Sequence, residues 1–321
     1  MKRLDRPHLL AQVASLYYEQ GLTQEQVARR LDISRSGISR LLKEARREGI
    51  VEIRVRHPSP TVASLETKLR NRFGLQSACV LANGTRDADM VLRGVGALAA
   101  EQTRGLLRSG MVLGIGWGRA LYEIVNAFRP VSVGHVDVVQ IMGGIGGLNP
   151  HIDGAELARR LAEALGGQFH YLHAPFVVED VAVCEALLRQ RELRRVMDMG
   201  RCADLVLVGI GSMHPDVSGL VRAGFLTRSE LLAIARSGAV GDICGQYIDI
   251  HGRICDLELH RRTIGIDPLS LRKAKCVLAM AAWREKAPAI LGALRGGFVD
   301  ILITDDAAAQ EVLRLADSAA E

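Results

Sequence analysis

No run of ~18 or more uninterrupted apolar residues, the length a bilayer-spanning helix needs, occurs in this 321-residue chain. Residues 1–8, MKRLDRPH, lack the apolar segment and small-residue cleavage site of a secretory leader, so the expectation is a cytoplasmic protein. The six cysteines (Cys79, Cys184, Cys202, Cys244, Cys255, Cys276) form no C-x-x-C pair and no Cys/His zinc spacing, which argues against a disulfide framework or a structural metal. They read as small buried apolar residues. His170 and His173 lie three apart in a strand-like stretch and face opposite sides, so no metal site is expected there either. No segment repeats at the ~20–50-residue period of a solenoid. No cofactor is expected.

What the chain does have is a hydrophobic content of 48%, ample for a buried core, and a length that suggests two domains. Its positive charge is unevenly placed. Through Arg56 there are 12 Lys/Arg and 7 Asp/Glu, a net of +5, and the remaining 265 residues carry 29 of each sign. The whole excess therefore sits in the head. It suits either a polyanionic partner or an ordinary solvated face.

The motif at residues 21–42, GLTQEQVARRLDISRSGISRLL, favours the polyanion. Thr23 with Gln26 three residues on is a capping box that opens a helix through Leu31, with Val27, Ala28 and Leu31 as its apolar stripe. Asp32 stands at the turn, where a left-handed residue is wanted and Asp is tolerated. Ser34 caps a second helix. At ~100° per residue, Ile38, Leu41, Leu42 and Ala45 cluster on one side of it, opposite Ser36, Arg40, Lys43 and Arg47, with Ser39 and Arg35 on the flanks. Such a helix fits a DNA major groove, where Arg bridges guanine acceptors and Ser contacts several bases. Lys43, Arg46 and Arg47 are placed for phosphates. The candidate DNA-contacting set is Gln24, Arg35, Ser36, Ser39, Arg40, Lys43 and Arg47. An earlier helix over 9–18 offers Leu9, Val13, Leu16 and Tyr17 to the same core, and 50–55 alternates as a strand, either a wing or an edge.

Two prolines in His57-Pro58-Ser59-Pro60 end the head. The expected division is a helix-turn-helix domain over 1–56, a linker over 57–61 and a larger domain over 62–321. Val62, Leu65, Leu69 and Phe73 then recur at helical spacing, a stripe that packs on the body or pairs with another chain. Beyond it, apolar runs at 78–81, 111–115, 136–141, 168–172, 205–209, 276–280 and 301–303 alternate with helical stretches at 88–108, 119–128, 154–165, 181–189, 229–236, 288–295 and 307–317. This predicts an α/β domain with a parallel sheet covered on both faces.

Such sheets bind ligands beyond the carboxyl ends of their strands. Glycines gather at those ends: Gly114–Gly118, Gly143–Gly147 and Gly209–Gly211. Each serves either a tight turn or an anion held by backbone N–H groups, and Arg119 opening the next helix makes the first the best phosphate cradle. Asp242 is a candidate acceptor for sugar hydroxyls or a turn cap. Lys286 is a candidate phosphate partner or a surface lysine.

The segments LYYEQGLTQEQVARRLDISRSGISRLLKEARREGIVEIRV, GIGWGRALYEI, VVQIMGG, ADLVLVGIGSM, GAVGDICGQYIDIHG and LRGGFVDILITDDAAA, in this order across nearly the whole chain, resemble the SorC-type sugar-responsive transcriptional regulators of bacteria. The resemblance implies an all-α helix-turn-helix domain joined to a Rossmann-like effector domain with the fold of sugar-phosphate isomerases and deaminases. It further implies a homotetramer or dimer on inverted-repeat operator DNA, and ligand binding without turnover. It assigns the effector's phosphate to the loop around Gly116, Trp117, Gly118 and Arg119, the hydroxyls to Asp242, positive charge to Lys286, and another contact to the segment of Asp153. Two departures bear on the ligand. Gly116 and Ala120 stand where many members have Ser and Thr, and Ala282-Trp283-Arg284 stands where members often have paired glycines. Losing two hydroxyl donors at ~1 kcal/mol each weakens a phosphate site unless other groups compensate. The expected effector is a small sugar, a polyol or a phosphate of either. An isomerase or deaminase with a DNA-binding accessory is the alternative from another class.

Overall fold

Capping and turn chemistry set the head. The computed structural model describes residues 6–51, 60–84, 86–130, 133–146 and 150–318, and the chain falls into two units, Met1–Pro58 and Ser59–Glu321. In the first, helix Arg6–Ala14 runs into a wider turn over Ser15–Glu19, where the Gln20 N–H reaches five residues back to Ser15 O. Helices Gln24–Leu31 and Arg35–Arg47 follow. The capping box is reciprocal: Gln26 N–H donates to Thr23 Oγ1 (3.3 Å), and Thr23 N–H to Gln26 Oε1 (2.8 Å). Asp32 takes the left-handed turn position at φ 54°, and Ser34 Oγ accepts from Gly37 N–H. Leu10, Val13, Leu16, Val27, Ile38, Leu41, Leu42 and Ala45 close one small core, with Leu9, Tyr17, Ala28 and Leu31 half-buried around it. An Arg6–Glu44 ion pair ties the first helix to the third. Residues 52–55 of the expected strand and 57–59 of the expected linker lie outside the described residues. Pro60 and Thr61 belong to the body, since Ala82 N–H donates to Pro60 O and Thr61 bridges Leu81.

In the second unit the seven expected runs form one parallel sheet: β1 Ser77–Leu81, β2 Val112–Ile115, β3 Asp137–Gln140, β4 Phe169–His170, β5 Leu205–Gly209, β8 Val277–Met280 and β9 Ile301–Asp305. Their order is β1-β9-β8-β5-β2-β3-β4. Alternate residues serve opposite faces. Val206, Val208, Val277 and Ala279 join the core under helices Ala63–Phe73, Arg191–Arg201, Ala287–Arg295 and Asp306–Ser318, while Leu205, Leu207, Leu278 and Met280 join the core under helices Ala88–Leu106, Arg119–Ala127 and Gly154–Leu165. Burial on both faces explains why the strands are unbroken apolar runs.

Several elements were absent from the sequence-based expectation, chiefly a long helix and a hairpin, with the short helices Gly219–Arg222, Glu258–Arg261 and Pro268–Leu271 besides. Helix Arg191–Arg201 buries Leu193, Val196, Met197 and Gly200, and a two-stranded hairpin joins β6 Ala239–Ile243 to β7 Gln246–Asp249. The hairpin turns through Cys244 (φ 51°) and Gly245 (φ 76°), the paired positive φ of a tight two-residue loop.

The topology also fixes where a ligand can enter. From β2 the chain steps outward to β3 and β4, then returns to lay β5 on the other side of β2 and continues to β8 and β9. The crevice beyond the carboxyl ends of β2 and β5 is therefore the switch point of the sheet.

Candidate functional site

A cavity of about 110 Å³ occupies that switch point. One bound water needs on the order of a tenth of this space. Its walls come from the ends of β2, β5 and β8 and from the β6–β7 hairpin, and they include Gly116, Trp117, Gly118, Arg119, Asp242 and Lys286. Six of the seven effector-site residues named from the sequence thus meet in one place.

Gly118, at φ 121°, turns the chain from β2 into helix Arg119–Ala127, and its N–H is held by Ile152 O at 3.0 Å. No side chain caps this helix, and its first backbone bond is Tyr122 N–H to Gly118 O. The amides of Arg119, Ala120 and Leu121 are left for an anion or solvent, at the positive end of the helix dipole. The Arg119 guanidinium pairs with Asp89 at 2.8 Å and lies 5.7 Å from the Trp283 ring centroid.

Asp242 is positioned by two glycines. Its Oδ2 accepts from Gly245 N–H at 3.1 Å, and its Oδ1 occupies the space a Cβ on residue 211 would need, 1.7 Å away, so only glycine fits there. Lys286 Nζ donates to Ile210 O at 2.5 Å. Burial pushes the Asp242 carboxyl up to about 6, against the opposing pull of the Gly245 amide and the Lys286 charge. Burial likewise brings the Lys286 ammonium down to about 8, with Asp242 opposing the shift and Arg119 adding to it. Near neutral pH both groups are charged at a desolvation cost, and a ligand carrying hydroxyls and an anion would relieve it. The Cys244 thiol is pushed up by burial and stands as an inert apolar group.

Asp153 behaves differently from the expectation. Its Oδ1 accepts from Ala155 N–H (2.9 Å), capping helix Gly154–Leu165, and its Oδ2 accepts from Ile145 N–H (2.7 Å). Both oxygens are engaged by backbone, and Ile152 rather than Asp153 lines the cavity. The middle glycine cluster is also structural where it is described: Gly143 and Gly144 donate to Ile264 O and Ala174 O, and a Cβ on residue 143 would lie 2.5 Å from Pro175 O. Sequence reading named Gly211 within its third glycine cluster but missed Arg222. Arg222, on the short helix Gly219–Arg222, is an exposed cation at the cavity, with no ion pair among the described residues. Nothing in its local pattern marks it, because only the topology brings residue 222 to the cavity that residue 119 lines.

The head presents a second candidate surface. Arg35, Ser36, Arg40, Lys43 and Arg47 are exposed and Gln24 and Ser39 half-buried, while Ile38, Leu41, Leu42 and Ala45 fill the core behind them. Arg40 folds onto Ser36 O at 3.3 Å, and Arg47 pairs with the adjacent Glu48. Arg46 is differently engaged: both Nε and Nη2 donate to Tyr18 OH, so it braces the first helical segment.

Both parts of the chain are similar to known proteins. The Sugar-bind family, a sugar-binding domain, matches residues 58–314, and region 4 of sigma-70 matches residues 10–48. The deoxyribonucleoside regulator of Bacillus subtilis (strain 168) is 32% identical over 309 residues, covering 96% of this chain and 98% of that protein. The sorbitol operon regulator of Klebsiella pneumoniae is 31% identical over 317 residues, covering 98% of this chain and all of that protein (100%). The crystal structure of full-length SorC, the sorbitol operon regulator from Klebsiella pneumoniae, superposes with a TM-score of 0.75 at 30% identity, covering 97% of this chain and 100% of that one.

Proposed function

The chain belongs to the SorC-type sugar-binding transcriptional regulators, and from that membership we propose which residues read DNA, which hold the effector and how the two are linked. Helix Arg35–Arg47 enters the major groove, with Arg35, Ser36, Ser39 and Arg40 toward base edges and Gln24, Lys43 and Arg47 toward phosphates. The effector is a small phosphorylated sugar or polyol. Its phosphate lies at the amides of Arg119, Ala120 and Leu121, with Arg119, Arg222 and Lys286 supplying positive charge, and Asp242 accepts from its hydroxyls. The observation that carries this reading is the ratio of charges in one small cavity, three cations to one carboxylate, beside an uncapped helix N-terminus. Arg119 and Arg222 compensate for the hydroxyl donors that Gly116 and Ala120 do not provide.

The protein binds its effector without turning it over, acts in the cytoplasm, and assembles as a homo-oligomer whose paired heads fit inverted-repeat half-sites. Operator and effector favour particular arrangements of the subunits, so each changes the other's affinity by the same factor, with a coupling of about 1–3 kcal/mol.

Tryptophan fluorescence tests the cavity. The chain has two tryptophans, Trp117 and Trp283, and both line it. Titration with inorganic phosphate and a panel of sugar phosphates should change the emission and raise Tm by mass action. A panel that moves neither signal overturns the reading, and conversion of any panel member by purified protein overturns the claim of binding without turnover.

A further inference from the structure

Trp283 stands at φ 84° and ψ 142°, in the left-handed half of backbone space that glycine adopts freely and a bulky aromatic does not. Such a residue is strained and persists only where its surroundings over-determine it. Here they do. The Trp283 N–H donates at 2.5 Å to Asp305 Oδ2, on a fully buried carboxylate that also accepts from Asn83 Nδ2 and from the Ala307 and Ala308 amides. The indole Nε1–H donates to Ala88 O at 3.2 Å. With both N–H groups engaged, the indole is held rigidly in the cavity wall, packed in part against the core under helix Ala88–Leu106 and with the Arg119 guanidinium over its ring.

We propose that Trp283 is a specificity-determining residue: it recognises the C–H face of a cyclic sugar phosphate and discriminates against the open-chain polyol phosphate of the same carbon count. The inference rests on the sugar-phosphate reading above and decides the sugar-or-polyol choice that reading leaves open. A ring presents a preformed row of C–H groups to a flat partner. An open chain must freeze several rotors to do so, each at an entropic cost to affinity. Anchoring the phosphate at Arg119 brings the ring against the neighbouring indole.

The test is calorimetric titration of the full-length protein with two matched pairs, glucose 6-phosphate against glucitol 6-phosphate and ribose 5-phosphate against ribitol 5-phosphate, with inorganic phosphate alongside. In whichever pair binds, the wild type should take the ring form about tenfold more tightly, the equivalent of freezing one or two rotors. Trp283→Phe, which keeps a flat ring, should retain most of that ratio. Trp283→Gly, which relieves the backbone strain and should still melt cooperatively, should bring the two forms within about threefold. Arg119→Ala should weaken ring and open-chain forms together. An open-chain partner that binds as tightly as the ring in wild type overturns the proposal whatever the variants do, as does a ratio that survives Trp283→Gly. Binding of inorganic phosphate with neither pair also overturns it while leaving the anion site intact. Failure of every ligand, inorganic phosphate included, removes the sugar-phosphate reading itself.

Discussion

The two units use the same kinds of side chain under opposite solvation. In the head, Arg35, Arg40 and Lys43 stand in open water on a helix whose far side is core, and among the described residues nothing fixes them but a backbone carbonyl at Arg40. In the body, Lys286 and Asp242 face a small cavity, positioned by Ile210 O and by Gly211 and Gly245. Exposed cations are screened and act in number, so they suit a long polyanion and respond to salt. Sheltered groups keep strong fields but carry a desolvation cost, so they suit one small ligand and respond to pH. One chain thus holds a salt-tuned surface and a pH-tuned cavity.

The comparison can be broken most severely at the head's core. Ile38 is fully buried among eight residues, and Ile38→Ala should cost about 2–5 kcal/mol, more than so small a core tolerates. Operator binding in a mobility-shift assay should be lost while tryptophan fluorescence still reports ligand in the body. Loss of both functions together would deny the units their separate cores.

The pH claim is sharpened by Asp242→Asn. Because burial raises the Asp242 carboxyl from 3.8 to about 6, its stabilising contribution is fully present below 3.8 and is lost as pH rises through 6. The wild type should therefore lose stability relative to Asp242→Asn across that window, by at most about 3 kcal/mol. Thermal or urea melts of both proteins between pH 4 and 7 check it, and a difference that stays flat would contradict the sheltered carboxylate.

Smaller effects belong to the exposed face. Arg40→Ala should weaken operator binding by about 1–3 kcal/mol and relax preference at one base pair, measured by anisotropy against single-substituted duplexes. Lys43→Ala should lower affinity for all duplexes alike and reduce the slope of log K against log salt by about 0.9. If Lys43→Ala altered sequence preference and Arg40→Ala did not, the assignment of base and phosphate contacts would be reversed.

The head was legible because its signals are local. Thr23 with Gln26, Asp32 and Ser34 each declare a cap or turn within a few residues. The sheet was legible because strands buried on both faces are continuous apolar runs. The β6–β7 hairpin was hidden by Cys244, which adopts a positive φ that only its neighbour Gly245 advertises. Helix Arg191–Arg201 was missed although Leu193, Val196, Met197 and Gly200 follow helical spacing, its polar face being dense in arginine. In the cavity, the glycine loop, Asp242 and Lys286 could be named from sequence because strand ends are where ligands bind. Asp153 could not be told apart from a helix cap, and Arg222 could not be found, because each depends on which loops the topology brings together.

Operator titration of the full-length protein, by anisotropy at 150 mM salt, tests the account most directly. The duplex is the DNA upstream of its own gene, read with and without the sugar phosphate that most raises Tm. The prediction is a preference for that duplex over random sequence of at least about a thousandfold, and a shift in its affinity of about five- to 150-fold when the sugar phosphate is added. Equal affinity for random duplex, or an operator affinity that the bound sugar phosphate leaves unchanged, would contradict it.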